Sequence, residues 1–260
     1  MNIVVLIKQV PDTWSERKLA DADHTLDRGS ADVVLDEINE RAVEEALKIR
    51  EAGEGEVTVL TMGPARATDA IRKALQMGAD KGVHLSDEGL HGSCAVQTAR
   101  ALAAVIGTLG DVDLVLAGNE ATDGTVGAVP AMVAEVLGLP ELTHARRVTV
   151  AGRTVTIERE TDDAITVLQA DLPAVVSVNE KINEPRYPSF KGIMAAKKKP
   201  VSTLSLADAG IAASDVGLAN ATSTVTTSTP RPAREAGQVV TDSGDGAAKL
   251  AAYLIGQKLI

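Results

Sequence analysis

The stretch LAGNEATDGTVGAVPAMVAEVLG, residues 116–138, has the residue types of an anion-binding loop. An apolar strand runs into Gly118, a polar segment with Asp123, Gly124, Thr125 and Gly127 follows, and a helix is predicted to open near residue 127. Small residues let a backbone approach a ligand closely, and the free N–H groups of a helix start favour an anion such as a phosphate. The spacing matches neither G-x-G-x-x-G nor the P-loop, so an ordinary strand-to-helix turn remains open for this stretch alone. Two more loops, QVPDTW at 9–14 and TMGPARATDA at 61–70, follow the first and second strand candidates. Open α/β sheets bind ligands at the carboxyl ends of their strands, and three loops converging on one such edge point to a nucleotide.

Catalytic equipment is thin by comparison. His24, His84, His91 and His144 show no metal-ligand spacing, and no serine sits in a G-x-S-x-G elbow. The acidic pairs Glu44-Glu45 and Asp162-Asp163 read as solvated faces. Cys94 is the only cysteine, which excludes an internal disulfide and a cysteine-rich zinc site and reads as a small core residue. The segment NEKINEPRYPSFKGIMAAKKKP, 179–200, gathers Tyr187 and Phe190, two of the four aromatic residues, with Arg186, Lys191, Lys197, Lys198 and Lys199 in a chain of net charge −10. Taken alone, its lysine run reads as a solvated helix end. Net negative charge argues against nucleic-acid binding, and so few aromatics leave no base-stacking platform.

The elements that position these loops follow from periodicity. IVVLI at 3–7, EVTVLTMG at 56–63, KGVHL at 81–85 and VDLVLAG at 112–118 are strand candidates, separated by amphipathic helices predicted over 38–51, 66–77, 92–107 and 127–138. That alternation predicts right-handed crossovers and a parallel sheet covered on both faces, a Rossmann-like α/β fold. Past Thr143, RRVTVAGRTVTIERE, AITVLQA and LPAVVSVNE predict an added antiparallel hairpin or small meander. Beyond about 208, STVTTSTPRPAREAGQ predicts an extended arm, and 246–259 a closing helix with Leu250, Tyr253, Leu254 and Leu259. The division expected is a nucleotide-binding domain over 1–206 and a docking arm over 207–260. No run reaches the length of a membrane span, and the start lacks a basic leader region, which predicts a cytoplasmic protein.

VLIKQVPDT, DEINERAVEEALKIRE, MGPARATDAIRKALQMGAD, DLVLAGNEATDG and above all LPAVVSVNEKINEPRYPSFKGIMAAKKKP resemble the β subunit of the electron transfer flavoprotein family, the bacterial form also called the FixA type. The resemblance runs from residue 2 to about 206. It implies a heterodimer whose α subunit holds FAD while β carries AMP. It further implies electrons arriving from acyl-CoA and related dehydrogenases and leaving to a quinone reductase, with no substrate turnover in β. Carried over by position, the AMP site comprises Leu6; Asp36, Glu37, Ile38 and Asn39; Met62; and Gly118, Asn119, Thr122, Asp123, Gly124, Thr125, Val126, Gly127, Ala128 and Val129. Many members read D-G-D-T-x-Q-V-G or end in Q-T-G where this chain has TDGTVGAVP, which leaves the phosphate to backbone contacts. Some relatives bind a second FAD there and bifurcate electrons. The dehydrogenase-docking loop is carried by Tyr187, Pro188, Ser189, Phe190, Lys191, Gly192, Ile193 and Met194, with Pro185 and Pro188 stiffening it, Phe190 as apolar anchor and the lysines steering by charge. The competing classes are an adenine-nucleotide α-hydrolase, which shares the layered architecture but offers a glycine-rich loop near its first strand that IKQVPDTW lacks, and an AMP-sensing α/β protein, which needs neither the hairpin nor the arm.

Overall fold

The β-branched runs become the strands of one sheet. In the computed structural model, which describes residues 1–234, 237 and 239–260, the chain runs through β1 (Asn2–Leu6), β2 (Gln9–Pro11), β3 (Val33–Leu35), α1 (Glu37–Glu51), β4 (Glu56–Met62), α2 (Thr68–Met77), β5 (Lys81–Leu85), α3 (Ala95–Thr108), β6 (Leu114–Gly118) and α4 (Val129–Leu137). It continues through β7 (Glu141–Ala151), β8 (Thr154–Glu160), β9 (Ile165–Asp171), β10 (Ala174–Val178), α5 (Phe190–Ala196), β11 (Val201–Leu204) and α6 (Gly246–Gly256). Glu235, Ala236 and Gln238, within the expected arm, lie outside the described residues.

Nine strands form one sheet in the order β11-β5-β4-β1-β6-β10-β7-β8-β9, and β2 pairs with β3 in a separate antiparallel ribbon. Pairing is parallel from β11 to β7 and antiparallel from β7 through β9. The expected meander is therefore β7-β8-β9. The run LPAVVSV does not belong to it. All five residues of β10 are buried, and a strand closed on both faces belongs inside a parallel sheet, where it lies between β6 and β7. The chain moves outward from β1 to β4 and β5, then returns to place β6 on the other side of β1. The crevice between the carboxyl ends of β1 and β6 is thus the topological switch point, where a doubly wound sheet can admit a ligand.

One core cluster packs Ile3, Val5, Leu116 and Val176 with Ala42, Leu47, Ile71 and Leu75 of α1 and α2. The other packs Val4, Leu6, Leu60 and Val175 with Leu102, Val105 and Val133 of α3 and α4. Both are aliphatic, and each fully buried Leu, Ile or Val contributes roughly 1.5–3 kcal/mol against exposure. All four aromatics are exposed instead: Trp14 at 96%, Tyr187 at 94%, Phe190 at 81% and Tyr253 at 50%. Contacts divide the chain into Met1–Thr226 and Thr227–Ile260. The first unit continues beyond β11, with Leu206, Ala209 and Val216 buried in its second core cluster. The second contains α6, which has no buried residue.

Candidate functional site

Leu6 stands opposite Leu60 of β4 and Ala117 of β6, so Leu6, Met62 and Gly118 end three adjacent parallel strands. Leu6 points into the core at 7% exposure and offers a ligand only its backbone. Helix α1, which follows the β2-β3 ribbon, starts at the same edge and is capped by Asp36, whose side chain accepts from the N–H groups of Ile38 and Asn39. Gly118 is required where β6 meets this cap. A Cβ there would lie 2.6 Å from Asn39 Nδ2 and 2.9 Å from Ile38 Cγ2.

The loop that leaves Gly118 is tied down at both sides. Asn119 N–H donates to the Val178 carbonyl at 2.8 Å, and Thr122 donates to Asp36 Oδ2 from its N–H at 2.7 Å and its hydroxyl at 2.8 Å. Asp123, 1% exposed in its side chain, accepts from Lys8 Nζ at 2.7 Å and lies 3.5 Å from Arg28 Nη2. Thr125 (φ 47°) and Gly127 (φ 66°) are left-handed, a conformation costing a non-glycine residue roughly 1–2 kcal/mol. Among the described residues, the N–H groups of Val126, Gly127, Ala128 and Val129 donate to no carbonyl or side chain. Asn119 Oδ1 is buried without a partner. Free donors at the start of α4, two cations on one carboxylate and an unpaired amide oxygen fit an anionic ligand with a polar base or sugar.

Sequence reasoning missed Lys8 and Arg28. Lys8 lies two residues past β1 and could have been found as a charge at a strand end, whereas Arg28 comes from an excursion between β2 and β3 that has no periodic signal. A cavity of about 470 Å³ opens between that excursion and the segment after β4, lined by Ser15, Lys18, Ser30 and Asp32 of the first and Arg66 of the second among others. None of the expected site residues lines it. His84 is a core residue, with Thr68 Oγ1 at 3.1 Å and the Gly63 carbonyl at 3.0 Å, and burial lowers its pKa. Among the described residues no cluster of His, Cys, Asp and Glu could hold a metal ion, and no helix is long and apolar enough to cross a membrane.

The segment after β10 is bolted to α1. Arg186 Nε donates to Glu44 Oε2 at 2.7 Å, and Nη1 and Nη2 donate to Glu51 at 2.6 and 3.0 Å. Arg41 Nη1 donates to the Asn183 carbonyl, and Asn183 Nδ2 donates to the Arg41 carbonyl and Glu45 Oε2, each at 3.0 Å. Glu44 and Glu45 are therefore not a solvated pair: they are 4% and 8% exposed, turned inward by partners from a distant segment. Glu51 and Glu44 raise the Arg186 pKa, Arg186 lowers that of Glu51, and burial raises that of Glu45.

Phe190 is carried outward by a helix start. Ser189 Oγ caps α5, accepting from Gly192 N–H at 3.1 Å, and Gly192 lets the helix approach α2, since a Cβ there would sit 2.6 Å from the Gln76 carbonyl. Phe190, Ile193 and Met194 fall at i, i+3 and i+4 and are 81%, 37% and 48% exposed, one apolar stripe beside Tyr187. Lys199 corrects the expectation of three solvated lysines. Its ammonium donates to the Leu75 and Ala79 carbonyls at 3.0 and 2.6 Å, capping the end of α2, and burial lowers its pKa. Cys94 is likewise not a core residue. It is partly exposed at the N-cap of α3. Burial raises its thiol, but hydrogen bonds from Thr222 and from backbone N–H groups outweigh that and bring it to about 6.

The electron transfer flavoprotein domain family matches residues 23–209. The chain is 65% identical to the electron transfer flavoprotein subunit beta of Mycobacterium tuberculosis, covering 100% of this chain and 99% of the relative. It is 64% identical, with the same coverage, to the protein of that name from Mycobacterium leprae. To the caffeyl-CoA reductase-Etf complex subunit CarD of Acetobacterium woodii it is 34% identical, over 93% of this chain and 92% of the relative.

Proposed function

The chain belongs to the β subunits of the electron transfer flavoprotein family, and on that premise we propose that it holds AMP at the β1/β6 switch point and docks dehydrogenases through residues 187–194. A β subunit of this family has an α subunit as partner. In this reading the α subunit binds FAD, which supplies the redox chemistry, taking electrons from acyl-CoA and other flavoprotein dehydrogenases and releasing them toward a quinone reductase. The β subunit turns over no substrate of its own. Its division is functional, with 1–206 as the nucleotide and docking domain and 207–260 as an arm whose α6 packs on the α subunit. The heterodimer works in the cytoplasm.

The observation that carries the nucleotide reading is the joining of three strand-end segments at the switch point by two carboxylates, Asp36 to Thr122 and Asp123 to Lys8. The free N–H groups of Val126 to Val129 would hold the phosphate, and Lys8 and Arg28 would supply positive potential to it. Glu37 to Asn39, Met62 and the backbone at Gly118 and Asn119 would enclose the nucleoside. For docking, a stripe of exposed apolar side chains on a base fixed to α1 and α2 loses little entropy on association.

Denaturing the purified heterodimer and chromatographing the released nucleotides tests this reading. One AMP and one FAD per heterodimer support it, and no nucleotide beyond a single flavin refutes the site. Gly124→Val sharpens the test: no protein atom lies within 4 Å of a Cβ added at Gly124, so a fall in AMP content reports a clash with ligand. The relative named as a subunit of a caffeyl-CoA reductase-Etf complex keeps a second reading in view, a bifurcating carrier with FAD in place of AMP. Two FAD per heterodimer would establish it.

A further inference from the structure

We propose that Asp36 is a positioning residue of the nucleotide site, holding the 119–127 loop in its phosphate-accepting shape without touching the ligand. The inference rests on the nucleotide reading above. Asp36 is 0% exposed. Its Oδ1 accepts from Ile38 N–H at 3.0 Å and Asn39 N–H at 3.1 Å, and its Oδ2 from Thr122 N–H at 2.7 Å and Thr122 Oγ1 at 2.8 Å. Each carboxylate oxygen offers two lone pairs, so four donors use the full capacity of the group. An acidic residue in a doubly wound fold commonly reads the ribose hydroxyls. Asp36 has neither a free lone pair nor exposed surface with which to do so.

Its four bonds join two segments instead. One oxygen caps α1 and the other grips Thr122, while the Asp36 N–H donates to the Lys8 carbonyl at 3.0 Å and ties both to the end of β1. The loop is thereby pinned to the start of α1 at Gly118, by close packing, and at Thr122, by hydrogen bonds. Three residues past Thr122 the chain enters the left-handed turn at Thr125 and Gly127 that leaves the Val126–Val129 N–H groups free. The entropy of ordering this loop is therefore lost on folding and not on ligand binding. The part of a ligand that depends on the tether is its phosphate, because the free donors lie on the tethered loop.

The test compares AMP with adenosine, by titration calorimetry on the complete heterodimer after its endogenous nucleotide has been removed. Thr122→Val deletes the hydroxyl donor and keeps the shape. It should weaken AMP about tenfold, the effect of losing one hydrogen bond to a charged acceptor. Adenosine affinity should stay close to wild type, and Thr122→Ser should restore AMP. Asp36→Asn, which presents an amide N–H to the Thr122 donors, should weaken AMP further; should that variant fail to fold, the two Thr122 variants still decide. Equal losses for AMP and adenosine, or wild-type AMP affinity in Thr122→Val, would overturn the positioning role. A wild-type complex that binds neither compound would instead refute the nucleotide reading, leaving Asp36 as a helix cap.

Discussion

Replacing Phe190 with Ala tests the docking stripe most directly. A phenylalanine presents on the order of 200 Å², and Phe190 keeps 81% of its surface open. A partner pocket can therefore cover roughly 150 Å² of it, worth up to about 4 kcal/mol at about 25 cal/mol/Å². Ordering the ring and desolvating its surroundings reduce that to ~2 kcal/mol, about thirtyfold in affinity. The folded state should lose almost nothing, because the ring packs against little and Ala is the better helix former at the start of α5. The assay is stopped-flow reduction of the heterodimer flavin by acyl-CoA dehydrogenase at subsaturating concentration. The second-order rate should fall about thirtyfold at every ionic strength if weaker docking appears fully in the rate, with AMP content and thermal midpoint unchanged. Wild-type transfer at subsaturating partner, or a variant that unfolds, would show that the ring has been misread.

The charges around the stripe act differently. Lys197→Gln with Lys198→Gln should slow association only at low salt, since exposed charges are screened within about 8–10 Å at physiological ionic strength; a rate loss that persists at high salt would contradict steering. Lys199→Gln should lower stability instead, measured by urea unfolding, because its ammonium caps the end of α2. Arg186→Ala leaves Glu44, 4% exposed, without its cation and should cost about 2–3 kcal/mol, below the usual range for a buried pair because Arg186 is itself one-third exposed. Unchanged urea unfolding would refute the clamp. With its folded-state pKa lowered to about 6 from an ordinary thiol value of 9.0, Cys94 should stabilise the protein fully above about pH 9, and that contribution should be lost as pH falls toward 6. Iodoacetamide alkylation in the native heterodimer should accordingly rise with a midpoint near pH 6, and a midpoint above 8 would contradict the thiolate.

Local chemistry made much of this protein readable in its sequence. Runs such as IVVLI and VDLVLAG are too continuous for a half-exposed strand, so burial on both faces and a parallel sheet follow from residue type. The apolar spacing of α1 and α2 required a core-facing stripe, and small residues after β6 required an open strand-to-helix loop. An aliphatic interior left the few rings for the surface, which is why Tyr187 and Phe190 could be singled out. Long-range pairing decided the rest. Whether LPAVVSV extends the meander or enters the parallel sheet depends on the strands flanking it, and β10 found β6 and β7. Glu44 reads as solvated until Arg186, 142 residues away, is folded against it. Lys8 and Arg28 look unremarkable in their own windows, and Asp36 and Thr122 enter the site only through the family resemblance. They become one constellation only because the switch point brings the ends of β1 and β6 and the start of α1 together, and a charge's partner is set by distance in space, which sequence spacing does not encode.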